Sequence, residues 1–158
     1  MFREITRFKQ ALPKEECVAI LRDELRGVLS VQGDDGYPYG LPINHYYDDS
    51  DGHIYFHSGN SGHKIDAMRR DDKASFCCYD SGFIRPGDWA LNIKSVILFG
   101  RLRIVEDHDR AIEISRRLSR KFTSDEAYIE DEVRRSGRGV LVFELIPEHI
   151  TGKIVNEK

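Results

Sequence analysis

The stretch from Asp88 to Asp107 most constrains what this chain can fold into. It is rich in β-branched and other apolar residues, longer than any other strand candidate, and carries Gly100 where a curving strand would bend or bulge. Its most apolar run, Ser95-Val-Ile-Leu-Phe-Gly100, is far short of the roughly 20 residues needed to cross a bilayer. A long strand with a built-in bend implies a curved antiparallel sheet inside a soluble protein. At 158 residues and 40% hydrophobic content, the chain suits one domain over 1–158 with a substantial core.

Other segments extend this reading. Pro13 suits the first turn of a helix running to about Leu25, with Cys17, Ile20, Leu21 and Leu25 on its inner face. Gly27 to Gln32 and Tyr37 to about Tyr47 flank the turn Gly33-Asp-Asp-Gly36, a hairpin signal; Pro38 and Pro42 mark the second strand as irregular or an edge. His53 to Ser58 and Lys73 to Tyr79 read as further strands, separated by a short helix capped by Ser61 and packing through Ile65 and Met68. Asp107 caps a helix with Ala111, Ile112, Ser115, Leu118 and Phe122 at helical spacing, and Ser124 caps another ending near Gly137. Gly139 to Ile146 is an apolar strand, Pro147 interrupts it, and His149 to Val155 adds a last one. The sum is an α+β fold around a closed or nearly closed antiparallel sheet.

Charge excludes some functions. The 24 Lys and Arg against 27 Asp and Glu leave a net charge of −3, without the basic excess of a nucleic-acid binder. The amino terminus mixes charges throughout and lacks the apolar stretch of a secretory signal, so the expectation is a cytoplasmic protein. Cys17, Cys77 and Cys78 fit neither a disulfide framework nor a zinc site, and Cys77 and Cys78 should face opposite sides of a strand. His45, His53, His108 and His149 show no acidic partners at ligand spacing, so no metal is expected. No serine sits in a nucleophile elbow.

The segment Tyr55-Phe-His-Ser-Gly-Asn-Ser-Gly-His-Lys-Ile-Asp-Ala-Met68 is a strand, a glycine-rich turn and a helix start. Unpaired N–H groups at such a start attract anions, Gly62 allows close approach, Lys64 adds charge and His63 another donor. Two readings stand on spacing alone: a phosphate site, or an ordinary capped surface helix. The Walker and dinucleotide-binding glycine patterns are both missing.

Arg26-Gly-Val-Leu-Ser-Val31, Gly36-Tyr-Pro-Tyr-Gly-Leu-Pro-Ile-Asn44, Ile54-Tyr-Phe-His-Ser58, Gly62-His-Lys64 and Ser95-Val-Ile-Leu-Phe-Gly100 occur in the order found in FMN-binding split-barrel proteins related to pyridoxamine 5'-phosphate oxidase. The chain resembles that family over nearly its whole length, and within it the nitroimidazole-resistance-like branch. The resemblance implies a Greek-key-like antiparallel split β-barrel with inserted helices, FMN as cofactor, and a homodimer sharing two sites. It places the basic pair His63 and Lys64 on the flavin phosphate, where relatives often have Arg-Lys. Leu41, Pro42, Ile43 and Asn44 then run beside the isoalloxazine ring, with the Asn44 side chain at its polar edge. His57 falls near the reactive pocket as the candidate catalytic residue, and Ser58 near the ribityl or phosphate oxygens. Ser95 would reach the flavin from the dimer interface. Trp89 would cover the ring or else anchor the core or interface.

The implied activity is an FMN-dependent oxidoreductase that takes electrons from NADH or NADPH and passes them to a small aromatic or nitro-containing acceptor. The alternative is a non-enzymatic protein that stores or senses FMN or haem.

Overall fold

The computed structural model describes residues 1–157. Pro13 caps helix α1 (Lys14–Asp23), whose Cys17, Ile20 and Leu21 face the core. The helix is shorter than the sequence suggests: the Glu24 N–H closes on the Ile20 carbonyl and the chain turns extended, leaving Leu25 exposed. Gly27 serves packing rather than helix termination, because a Cβ there would overlap the Phe76 ring. It lies in strand β1 (Arg26–Gln32), which pairs with β2 (Pro38–Asn44) around a turn where Asp35 and Gly36 both have positive φ. The predicted second strand therefore stops at Asn44. Its continuation, β3 (Tyr46–Asp48), belongs to the other end of the sheet.

Strand β4 (His53–Ser58) leads into helix α2 (His63–Arg70), and β5 (Lys73–Tyr79) has the limits expected from sequence. A two-residue strand, β6 (Phe83–Ile84), too short to signal itself in sequence, hangs on the long β7 (Leu91–Ile104). Helix α3 (His108–Arg120) is capped by Asp107 as expected, but its buried side chains are Ala111, Ile114 and Leu118, and Phe122 lies beyond it, exposed. Helix α4 (Glu126–Ser136) is capped by Asp125, not Ser124, the carboxylate accepting from the Tyr128 N–H at 3.0 Å.

Last comes β8 (Leu141–Asn156), one strand where the sequence suggests two. Pro147 does not end it because the β7–β8 register shifts beside it: Gly100 pairs with Pro147 and Phe99 with His149, leaving Glu148 as the extra residue. At such a bulge the missing proline N–H is not needed by the ladder. Gly100, as anticipated, is the bending point; a Cβ there would run into the Ile146 carbonyl.

The strand order is β2-β1-β5-β7-β8-β4-β3, with antiparallel neighbours throughout. Its two ends, β2 and β3, are separated in sequence by His45 alone. A flat sheet cannot satisfy that, so the sheet curls into a split barrel until its ends meet. Phe56 stacks on Phe143 and meets Phe76 edge-on inside the curl, and α1 and α2 close over the same core. No helix among the described residues is long and apolar enough to cross a membrane. Cys77 and Cys78 face opposite sides, half-exposed and buried, and all three cysteines are free.

His45 itself is fully buried, its Nε2–H donating to the Leu21 carbonyl at 2.7 Å and its ring meeting Phe76 edge-on. Burial, reinforced by the Lys121 charge, lowers its pKa from 6.5 to about 4. The unfolded chain thus takes up a proton between these values that the folded chain refuses, so this stability is present above pH 6.5 and lost as pH falls toward 4. The unfolding free energy of wild type relative to His45→Gln should narrow by on the order of 2 kcal/mol between pH 6.5 and 4.5 in urea melts; a gap independent of pH would contradict the buried neutral imidazole. Separately, Gly100→Ala should cost about 1–3 kcal/mol in the same assay through overpacking.

Candidate functional site

Strand β4 ends on His57 and Ser58, and a short turn carries the chain to α2. Gly62 occupies the N-cap position with φ of 115°, a conformation that suits glycine, and open space where a Cβ would be. No side chain caps this helix, contrary to the role expected of Ser61. The first-turn N–H groups of His63 and Lys64 lack partners within the helix by geometry, and their dipoles sum to a positive end.

His63 and Lys64 differ in how they are held. The His63 ring stacks on Tyr39 of β2 with centroids 4.0 Å apart, and its Nε2 lies 3.6 Å from Asp34, which Arg70 grips at 2.8 Å. His63 is therefore braced against the β1–β2 hairpin. Lys64 has no carboxylate partner among the described residues, so its charge is free for a ligand. Ser58 Oγ is buried without a hydrogen-bond partner. An orphaned hydroxyl beside an uncapped helix start suits an oxygen-rich ligand, since burying such a group unpaired costs about 1–3 kcal/mol.

His57 lines a cleft of about 370 Å³ with Arg26, Pro42, Ile43 and Asn44. Its side chain keeps contact with solvent, yet surrounding protein lowers its pKa, and the Lys64 charge lowers it further. Near neutral pH the ring is thus an uncharged donor and acceptor rather than a ready acid. Across the cleft, Arg26 Nε donates to Asn44 Oδ1 at 2.7 Å.

Of the residues read from sequence, Pro42, Ile43, Asn44 and His57 share this cleft, with Ser58, Gly62, His63 and Lys64 leading from it. Leu41 instead packs half-buried against the core. Trp89 is 73% exposed on the loop before β7, and Ser95 lies within β7 opposite Tyr79 and Lys153, lining a separate groove with Arg3 and Arg7. One chain alone does not bring Trp89 or Ser95 to the cleft. Arg26 and Tyr39 were missed, because only the β1–β2 register places Arg26 opposite Asn44.

One histidine corrects the sequence reading. His53 does meet acids: its Nδ1 is 2.8 Å from Glu144 Oε2 and 3.8 Å from Asp51. These three residues have metal-ligand spacing, but Arg103 engages Glu144 and the Tyr55 hydroxyl donates to Asp51, which makes the cluster an ion-pair network tying β4 to β7 and β8.

A sequence profile of pyridoxamine 5'-phosphate oxidase matches residues 13–154, spanning the hairpin, the cleft, the turn and the bulge. The chain belongs to the pyridoxamine 5'-phosphate oxidase family. None of the curated proteins matches its sequence. Its fold is shared with a provisionally named 5-nitroimidazole antibiotic resistance protein from Bacteroides thetaiotaomicron, at 20% identity, covering 92% of this chain and 87% of that one, TM-score 0.80. A FAD-binding protein from Mesorhizobium loti aligns at 24% identity over 92% and 97% of the two chains, TM-score 0.64. A flavocytochrome from Azotobacter vinelandii aligns at 17% over 96% and 72%, TM-score 0.76.

This member of the pyridoxamine 5'-phosphate oxidase family couples its cleft to its helix start through charge. Replacing Lys64 by Met should raise the His57 pKa, while leaving it below the ordinary histidine value because burial, the larger cause, remains. Titration of the His57 ring by NMR reads this directly, and an unmoved midpoint would show that Lys64 does not act on the cleft.

Proposed function

We propose that this protein is a flavin-dependent oxidoreductase that binds FMN with its phosphate at the α2 start and its ring toward β2 and His57. The observation that carries this reading is the buried, unpartnered Ser58 Oγ beside an uncapped helix start and a free Lys64. Flavin-binding neighbours of the same fold add support. FMN held there by Lys64, the first-turn N–H groups and Ser58 would supply two-electron chemistry, with NADH or NADPH as the hydride donor, a small aromatic or nitro-containing molecule as the acceptor and the one further proton drawn from water.

The protein's part is binding and orientation. Lys64 and the first-turn N–H groups hold the phosphate, His63 is kept in position by Tyr39, and Ser58 gains the partner it lacks. His57, uncharged near neutrality, donates or accepts a hydrogen bond at the acceptor or the ring. A phosphate on Lys64 would offset the lesser of the two causes that depress the His57 pKa, the larger being burial.

The site is completed in a homodimer. Val28, Cys77 and Ile97 form one cross-strand row on the outer sheet face, with Tyr79 and Phe99 beside them, an apolar surface in need of cover. Ser95 lies on that face, from which it can reach a partner's flavin, and exposed Trp89 can do the same from its loop.

Purified protein should carry or take up FMN with a flavin absorption spectrum. Lys64→Glu should weaken FMN binding by about 10–100-fold, the scale of a lost charge-assisted contact, and His63→Ala by less because its ring leans on Tyr39. Protein that fails to bind added FMN would sink the assignment. Stopped-flow mixing with NADH or NADPH should bleach the bound flavin; a stable yellow protein inert to both would be a carrier instead.

A further inference from the structure

We infer that the groove between the N-terminal segment and strands β7 and β8 is a second nucleotide site, in which Arg3, Arg7 and Lys153 bind the phosphates of the nicotinamide donor and select NADPH over NADH. The inference deepens the proposed oxidoreductase reading, and rests on its homodimer to bring the nicotinamide to the flavin. It does not compete with the flavin, which that reading puts against β2 and His57.

The N-terminal segment lies against β7 and β8 as a strap pinned at both ends. The Phe2 ring stacks on His149 with centroids 4.9 Å apart and on Phe99 at 5.7 Å, and the Leu12 N–H donates to the Gly152 carbonyl at 2.8 Å. Between these pins Arg3 and Arg7 line a groove of about 540 Å³ with Lys153 of β8. Cations without a carboxylate partner among the described residues occur elsewhere on the surface, Arg69, Arg85 and Arg138 among them, and the His57 cleft holds one in Arg26. This groove differs in gathering three of them against a single acid, Glu4.

In a protein of net charge −3 such a local excess of positive charge draws anions, and three cations together match a polyphosphate better than a single carboxylate. Each guanidinium fork takes two adjacent phosphate oxygens. NADH and NADPH share a pyrophosphate, but only NADPH adds a 2'-phosphate, about 1.5–2 further negative charges near neutral pH for the third cation to meet. Gln10, which also lines the groove, has its Oε1 buried without a donor, and a ribose hydroxyl or the adenine amino group would satisfy it. Ile5, Ile97 and Val155 give base and sugar an apolar wall, and the volume suits the adenosine half of the donor. Ile97 ends the apolar row of Val28 and Cys77 where the groove begins, so the groove lies at the rim of the proposed interface and not under it. Ser95 lines the same groove. It is the residue that the homodimer would present to the partner's flavin, so a dinucleotide anchored here by its phosphates can extend its nicotinamide toward that flavin.

The test has two readouts. Calorimetric titration of the protein as purified compares 2',5'-ADP with 5'-AMP, the adenosine halves of NADPH and NADH, and stopped-flow reduction of flavin-loaded protein gives the dissociation constants of the two donors. Binding of 2',5'-ADP should be about tenfold or more tighter than that of 5'-AMP, and NADPH should hold the same advantage over NADH. The double variant Arg3→Ser, Arg7→Ser should lose that preference with its FMN content unchanged. Lys153→Gln, which leaves the strap in place, should weaken 2',5'-ADP by about tenfold and keeps the test decisive if the double variant loosens the strap. Equal affinity for the two donors, or 2',5'-ADP binding untouched by both variants, overturns the inference. Failure of the flavin reading looks different: no flavin is retained, while 2',5'-ADP binding that depends on Arg3, Arg7 and Lys153 persists.

Discussion

The fold depends on a single covalent step across the open side of a sheet. Asn44 ends the strand at one edge and Tyr46 begins the strand at the other, so His45 must bridge the two edges. Everything around it enforces that bridge. The Leu21 carbonyl accepts from its ring, Phe76 packs on its face, and Lys121 reaches from the end of α3 to the carbonyls of Glu24 and His45. These contacts bring α1, β5 and the C-terminal end of α3 to one seam, which is why the neutral form of His45 is required. They also set the cleft, because Arg26 and Asn44 sit immediately beside the seam and His57 faces them from the strand at its far side.

Much of this was legible in sequence where the signal is local. Lys73 to Tyr79 reads as a strand by its alternation, Asp107 as a cap, and Gly100 as a bend, and each is found in that role. What failed depends on partners distant in sequence. The strand break at His45 follows from closure of the whole sheet, not from any turn residue. Pro147 reads as a terminator until Gly100, 47 positions earlier, is seen opposite it at the bulge. His53 looks isolated because Glu144 lies 91 residues away. Asp125 displaces Ser124 as a cap because adjacent acceptors compete for one helix end and the carboxylate reaches it.

The candidate site shows the same division. A glycine turn followed by His63 and Lys64 announces an anion site locally, but sequence treats the two side chains as equivalent. The fold separates them by stacking His63 on Tyr39 and leaving Lys64 unpaired. Ser58 likewise reads as a turn residue, and only its burial without a partner makes it a demand for a ligand.

Charge placement connects these features. The acids Asp48, Asp51 and Glu144 are drawn into a network with Arg103, Arg110 and Arg117 at the α3 side of the sheet. Burial alone would push the Glu144 pKa up, but hydrogen bonds from His53 and Arg103 outweigh it and keep the carboxyl ionised. Carboxylates satisfied there are unavailable to Lys64, so a chain with an overall acidic excess still leaves a cation without a carboxylate partner at the α2 start, where its charge acts on an uncharged His57. The site's selectivity then follows from where the acids are spent as much as from the residues that line it.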